Sequence, residues 1–136
     1  MKVVVDTNVL VSSLLSVKGS PRAILKLFLA RKIDWLVNDL ILVEYEDVLS
    51  RKEFSVKWRE SIRILEFIHF YAIHIPYIPV EMDVPDLDDL PFILCARQGK
   101  ADALITGNKK HFPKAFCQGM KVFSPSDFLE FYPKAQ

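Results

Sequence analysis

A chain of 136 residues, 51% apolar and 26% charged, has the size and composition of one domain with a real hydrophobic core. Its formal net charge of +1 excludes the strongly basic footprint of an obligate duplex-DNA binder, and its apolar runs stop well short of the ~20 residues of a membrane span. No repeat, low-complexity tract or signal-peptide pattern interrupts it, so the expectation is a single cytoplasmic domain over 1–136 with no membrane attachment.

Val3-Val4-Val5 is a β-branched run of the kind that forms a fully buried strand, and it stops at the polar Asp6-Thr7-Asn8. The apolar segment Val9 to Leu15 reads as a helix. Gly19-Ser20-Pro21 starts a second one, with Ser20 as N-cap and Pro21 at the first helical position. Ala23, Ile24, Leu27 and Phe28 recur at helical spacing, and Arg31-Lys32 close that helix. Ile33 to Val37 follows as a strand, then Asn38 and Asp39 as a cap for a helix over 40–50.

Glu44 lies in that helix with Leu40, Ile41 and Val48 as its neighbours one turn away. It either reaches water from the edge of an apolar stripe or points into a polar pocket, since a buried carboxylate needs a compensating partner. Lys57 to Phe70 reads as an amphipathic helix with Ile62, Leu65, Phe67, Ile68 and Phe70 as its apolar stripe. Tyr71 to Tyr77 has strand-like residues, after which Pro76, Pro79 and Pro85 force an extended connection. His69 and His74 suit ordinary structural roles, and Cys95 and Cys117 suit buried free thiols.

Asp86, Asp88 and Asp89 precede Leu90-Pro91-Phe92, where Pro91 fits only a first helical turn and points to Asp88, give or take one residue, as the N-cap. Asp89 aligns with Phe92, Ile93 and Ala96 on the buried face. Ala101 to Ile105 reads as a strand ending in Thr106-Gly107-Asn108, which repeats the opening pattern. Lys121 to Phe123 is a last strand, and Ser124-Pro125 starts a final helix with Ser124 as cap. Strands alternating with helices predict a three-layer α/β/α fold with a mostly parallel central sheet.

In such a sheet Asp6, the helix start at Asp88 and Asp89, and Asn108 can share one edge, with Glu44 as a further acid. Carboxylates gathered without a cation raise one another's pKa. A hard divalent ion relieves that, and all-oxygen ligation by Asp6, Glu44, Asp89 and Asp88 suits Mg²⁺ or Mn²⁺ rather than zinc. Such a centre suits hydrolysis of a phosphodiester by in-line attack of water.

Val5-Asp6-Thr7-Asn8-Val9, Glu44-Tyr45-Glu46-Asp47-Val48-Leu49, Asp88-Asp89-Leu90-Pro91-Phe92 and Ile105-Thr106-Gly107-Asn108 together resemble, in order and spacing, the motifs of PIN domains. The nearest branch is the VapC-like toxins of toxin–antitoxin pairs. The resemblance implies a metal-dependent ribonuclease specific for single-stranded RNA, in which Asp6, Glu44 and Asp89 match the three core acids. It also implies Thr106 lining the site, an antitoxin partner, and a homodimer or higher homo-oligomer. Many PIN domains carry a fourth acid where this chain has Asn108; an amide brings no charge and favours one tightly held ion over two.

Thr7 and Asn8 flank Asp6 as further lining residues, while Lys109, Lys110, Arg51 and Lys52 are candidate contacts to an RNA backbone. A haloacid-dehalogenase-type phosphatase needs a second Asp where Asn8 stands, and a receiver domain needs one where Thr106-Gly107 ends its strand. The remaining rival is a weak or inactive PIN-like module that binds RNA or protein. Asn108 argues for it, and the three retained acids argue against it.

Overall fold

A computed structural model describes residues 1–112 and 119–135, so Cys117 lies outside the described residues. Five strands, β1 (Lys2–Val5), β2 (Asp34–Val37), β3 (Ile73–His74), β4 (Ala103–Ile105) and β5 (Lys121–Phe123), form one sheet in the order β3-β2-β1-β4-β5. Every pairing is parallel, with Val3 opposite Trp35 on one side and Ala103 on the other. Among the described residues six helices connect and cover it: α1 (Thr7–Leu15), α2 (Ser20–Leu29), α3 (Asp39–Leu49), α4 (Trp58–Tyr71), α5 (Leu90–Gln98) and α6 (Pro125–Ala135).

Successive strand residues face opposite sides of a sheet, yet Val3, Val4 and Val5 are all 0% exposed. That demands cover on both faces, the three-layer α/β/α arrangement. α5 lies against β1, β2 and β4, while α1 packs on α2 and α2 on α6. The same burial leaves the Cys95 thiol free within α5 and pushes its pKa up to about 12.

Several predicted boundaries shift for local reasons. α1 begins at Thr7 rather than Val9, because the Asp6 side chain caps it. Ser20 is already inside α2, and the capping position belongs to Gly19, whose φ of 103° suits a residue without Cβ. Asn38 caps α3 as expected, its Oδ1 accepting from Ile41 N at 2.9 Å. Within Tyr71 to Tyr77 only Ile73 and His74 count as strand, before the proline-rich connection. Phe70 is 80% exposed and leaves the stripe of α4, whose buried positions are Ser61, Ile64, Leu65 and Ile68. The cap of α5 falls on Asp89, within one residue of Asp88, after a 3-10 turn, Leu87–Asp89, in which Asp86 accepts from Asp88 N at 2.9 Å. The two histidines make local contacts, His69 to Glu46 at 2.8 Å and His74 to the His69 carbonyl at 3.0 Å.

An aromatic core fixes the end of the central strand. Phe28, Trp35, Tyr45 and Phe92 stack in sequence through the interior. Trp35 Nε1 donates to the Tyr45 hydroxyl at 3.2 Å, and that hydroxyl donates to the carbonyl of Val5, one residue before Asp6. Burial holds the Tyr45 phenol well above its ordinary pKa, so it stays a donor. Tyr45→Phe is expected to destabilise the chain by about 1–3 kcal/mol, because it strips the acceptor from the buried indole N–H and the donor from the Val5 carbonyl. Chemical denaturation measures it, with a lower midpoint at unchanged slope.

Candidate metal centre

Parallel strands deliver their carboxyl ends to one edge of the sheet, and the acids collect there. Asp6 directly follows the central strand β1, and its backbone N–H donates to the Ile105 carbonyl at 2.9 Å. Its side chain is 8% exposed and is held at both oxygens. Oδ1 accepts from Thr7 N at 2.8 Å, and Oδ2 accepts from Thr106 Oγ1 at 2.7 Å. The Thr106 hydroxyl in turn accepts from Asn108 N at 3.0 Å, which orients its proton toward Asp6.

From the first turn of α1, the Thr7 hydroxyl donates to Glu44 Oε2, bringing α3 to the same edge. Glu44 therefore points into a polar pocket, one of the two readings of its helix position. Asn8 makes its hydrogen bond to the loop after β4, its Oδ1 accepting from Gly107 N at 3.2 Å.

Asp89 arrives from the other side, at the junction of the 3-10 turn with α5. It is 8% exposed, and at the capping position of α5 its side chain makes no capping hydrogen bond. Its Oδ2 is buried with no hydrogen-bond donor aimed at it. The nearest nitrogen, His111 Nδ1, lies 3.1 Å away, close enough for electrostatic attraction but not aligned as a hydrogen bond.

All three core acids are held above their ordinary carboxylate range. For Asp6 burial is the main cause, partly offset by the Thr106 and Thr7 hydrogen bonds. Burial also leads for Glu44, opposed by the Thr7 hydroxyl and reinforced by Asp6 and Asp88. Burial again leads for Asp89, followed by repulsion from Asp6 and only partly offset by His111, and its pKa is pushed up to about 6. These are carboxylates short of positive charge.

The other predicted residues lie farther out. Asp88 is exposed but near enough to Glu44 to repel it. Arg51 pairs with Asp47 at 3.4 Å while still drawing the Glu44 pKa down. Lys52 opens the exposed 3-10 turn Lys52–Lys57. Lys109 pairs with Asp127 at 2.8 Å, and Lys110 is exposed beside it.

Two residues emerge that sequence reasoning did not assign to the site. Asp86, Asp89 and His111 each offer a ligand atom, and these atoms lie within 4.8 Å of one another. His111 follows directly on the Lys109-Lys110 pair, and its position after the Thr106-Gly107-Asn108 strand end was the available signal. The orphaned Asp89 Oδ2, the raised carboxylate pKa values and the oxygen-rich donor set fit a divalent cation.

The PIN domain profile matches residues 2–110 of the chain. No curated protein matches the sequence significantly. Among solved structures, VapBC2 from Rickettsia felis, crystallised bound to a DNA fragment from their promoter, contains a similar chain. The TM-score is 0.59 at 17% identity, over 91% of this chain and 98% of that one.

Proposed function

The chain belongs to the PIN domain family, and on that footing we propose that it is a metal-dependent endoribonuclease of single-stranded RNA, the toxin of a toxin–antitoxin pair. Family membership supports a nuclease. The observation that carries the metal dependence is the buried Asp89 Oδ2 without a donor, beside two further acids of raised pKa. The likeness to a VapBC2 chain supports an antitoxin as partner. A homo-oligomer acting in the cytoplasm completes the proposal; among the described residues no helix is long and apolar enough to cross a membrane.

Asp6, Asp89 and Glu44 would hold Mg²⁺ or Mn²⁺, with Asp88 at the margin. When bound, such an ion neutralises phosphate charge and makes a water acidic enough to attack near neutral pH. The chain's own groups do the rest. Thr7 N and Thr106 Oγ1 fix the Asp6 carboxylate so that it need not reorganise as charge builds. Glu44, half-buried and oriented by the Thr7 hydroxyl, takes the proton released from the attacking water. In-line displacement then leaves a 5′-phosphate and a free 3′-hydroxyl.

Cleavage of end-labelled single-stranded RNA tests the reading. The expected result is cleavage with Mg²⁺ or Mn²⁺, 5′-phosphate products, and none after EDTA; activity that survives EDTA would sink it. One observation favours the second reading, an RNA- or protein-binding module of low activity: Asn108 stands where a fourth acid is common. Metal binding without cleavage of any single strand would support that module.

RNA contact is expected to rest more on Lys110 than on Lys109, whose ammonium is partly neutralised by Asp127. Lys110→Ala should weaken binding and reduce the slope of log K against log salt by about 0.7. Lys109→Ala should change that slope less, and titration of a fluorescent single strand at several salt concentrations compares the two.

A further inference from the structure

We propose that His111 and Asp86 extend the acidic centre into a mixed nitrogen and oxygen ligand set, which selects Mn²⁺ over Mg²⁺. The inference rests on the metal-centre reading and goes beyond the three core acids. Ligand atoms of Asp86, Asp89 and His111 all lie within 4.8 Å of one another. The second observation is the Asp89 carboxylate itself, 8% exposed, with a buried Oδ2 that no hydrogen bond reaches.

The 3.1 Å between that oxygen and His111 Nδ1 carries the argument further. A proton between the two atoms would give an aligned hydrogen bond, and the alignment is absent. Two donors at right angles on one cation, each at roughly 2.1–2.2 Å, stand about 3 Å apart. The pair therefore has the spacing of adjacent ligands. Asp86 is available to the same set because its Oδ1 caps the 3-10 turn through Asp88 N, which fixes the side chain toward Asp89.

The chemistry decides the ion. Mg²⁺ prefers oxygen ligands and retains its waters, whereas an imidazole suits transition ions, of which Mn²⁺ also accepts carboxylates. Asn108 removes a charge where many relatives carry an acid, and His111, on the 3-10 turn that follows it, restores a ligand of another kind. A neutral ligand in place of an anionic one keeps the site from over-binding through charge alone.

The test uses the whole purified chain with MnCl₂ or MgCl₂ and no RNA. Pulsed electron paramagnetic resonance of bound Mn²⁺ is expected to show coupling to an imidazole nitrogen in the natural chain and none in His111→Gln. Calorimetry is expected to show Mn²⁺ affinity falling about 10–100-fold in His111→Gln with Mg²⁺ affinity little changed, and the affinity for both ions falling in Asp86→Asn. Nitrogen coupling in the natural chain needs no variant, so it stands even if a variant fails to fold. Binding of both ions with no nitrogen coupling, or with Mn²⁺ affinity untouched in both variants, overturns the His111 assignment alone. Binding of neither ion overturns the metal-centre reading with it.

Discussion

Asp6→Asn is expected to lower RNA cleavage by about 10³-fold, a loss of about 4 kcal/mol of transition-state stabilisation, while leaving the fold intact. The two halves of that expectation come from different parts of the residue. An asparagine oxygen can still accept from Thr7 N, and the Thr106 hydroxyl, which already accepts from Asn108 N, can accept from the new amide. Loss of the charge removes the central anionic ligand and also relieves Asp89 and Glu44, both of which Asp6 repels. The metal-free variant should therefore melt no lower than the natural chain. A single-turnover cleavage assay alongside thermal melting checks both. Unchanged cleavage would refute the assignment of Asp6, and a collapsed melting temperature would show the loss to be structural.

Asp89→Asn separates the metal centre from an ordinary buried acid by the sign of its effect on stability. The folded-state pKa of Asp89 is raised from 3.8 to about 6. A raised carboxylate favours its protonated form in the folded chain, so its stabilising contribution is complete below about pH 4. It is lost as pH rises through about 6. The metal-free natural chain should thus lose stability across that window. At pH 7.5 Asp89→Asn should raise its melting temperature by about 3 °C, the change that ~1 kcal/mol gives a domain of this size. Saturating Mn²⁺ should reverse the order, because the natural chain gains RT ln(1 + [L]/Kd) and the variant gains little. A variant destabilised without metal would mean that the Asp89 charge is already compensated by His111, and the centre would have no need of a cation.

Most of the architecture was legible because it follows from short-range rules. Val3-Val4-Val5 could be buried on both faces only as a central strand, and Asn38 and Ser124 are good caps wherever a helix follows; Ser124 Oγ accepts from Asp127 N at 3.2 Å. The convergence of Asp6, Thr7, Glu44 and Thr106 followed from strand ends sharing one edge. Other features were not legible because tertiary contacts decide them. Phe70 fits a helical stripe by spacing, yet it stays 80% exposed, outside the buried positions of α4. Ile73 and Ile75 alternate like a long strand, but only a two-residue stretch pairs with β2. The approach of His111 to Asp89 depends on how the 3-10 turn after β4 folds back, which no local pattern encodes.

The central strand also sets when the acid cluster can form. β1 leaves a ribosome before its neighbour β4 and the Thr106 hydroxyl, which lie about one hundred residues downstream. Lys2 N is likewise tied to Asp102 Oδ2 at 2.8 Å. Closing so long a loop is slow, so Asp6 waits unsupported through most of translation. A polypeptide interrupted before residue 103 has an open sheet edge beside β1 and lacks the Thr106 hydroxyl that holds Asp6. Chains cut short before residue 103 are therefore expected to lack the assembled acid cluster.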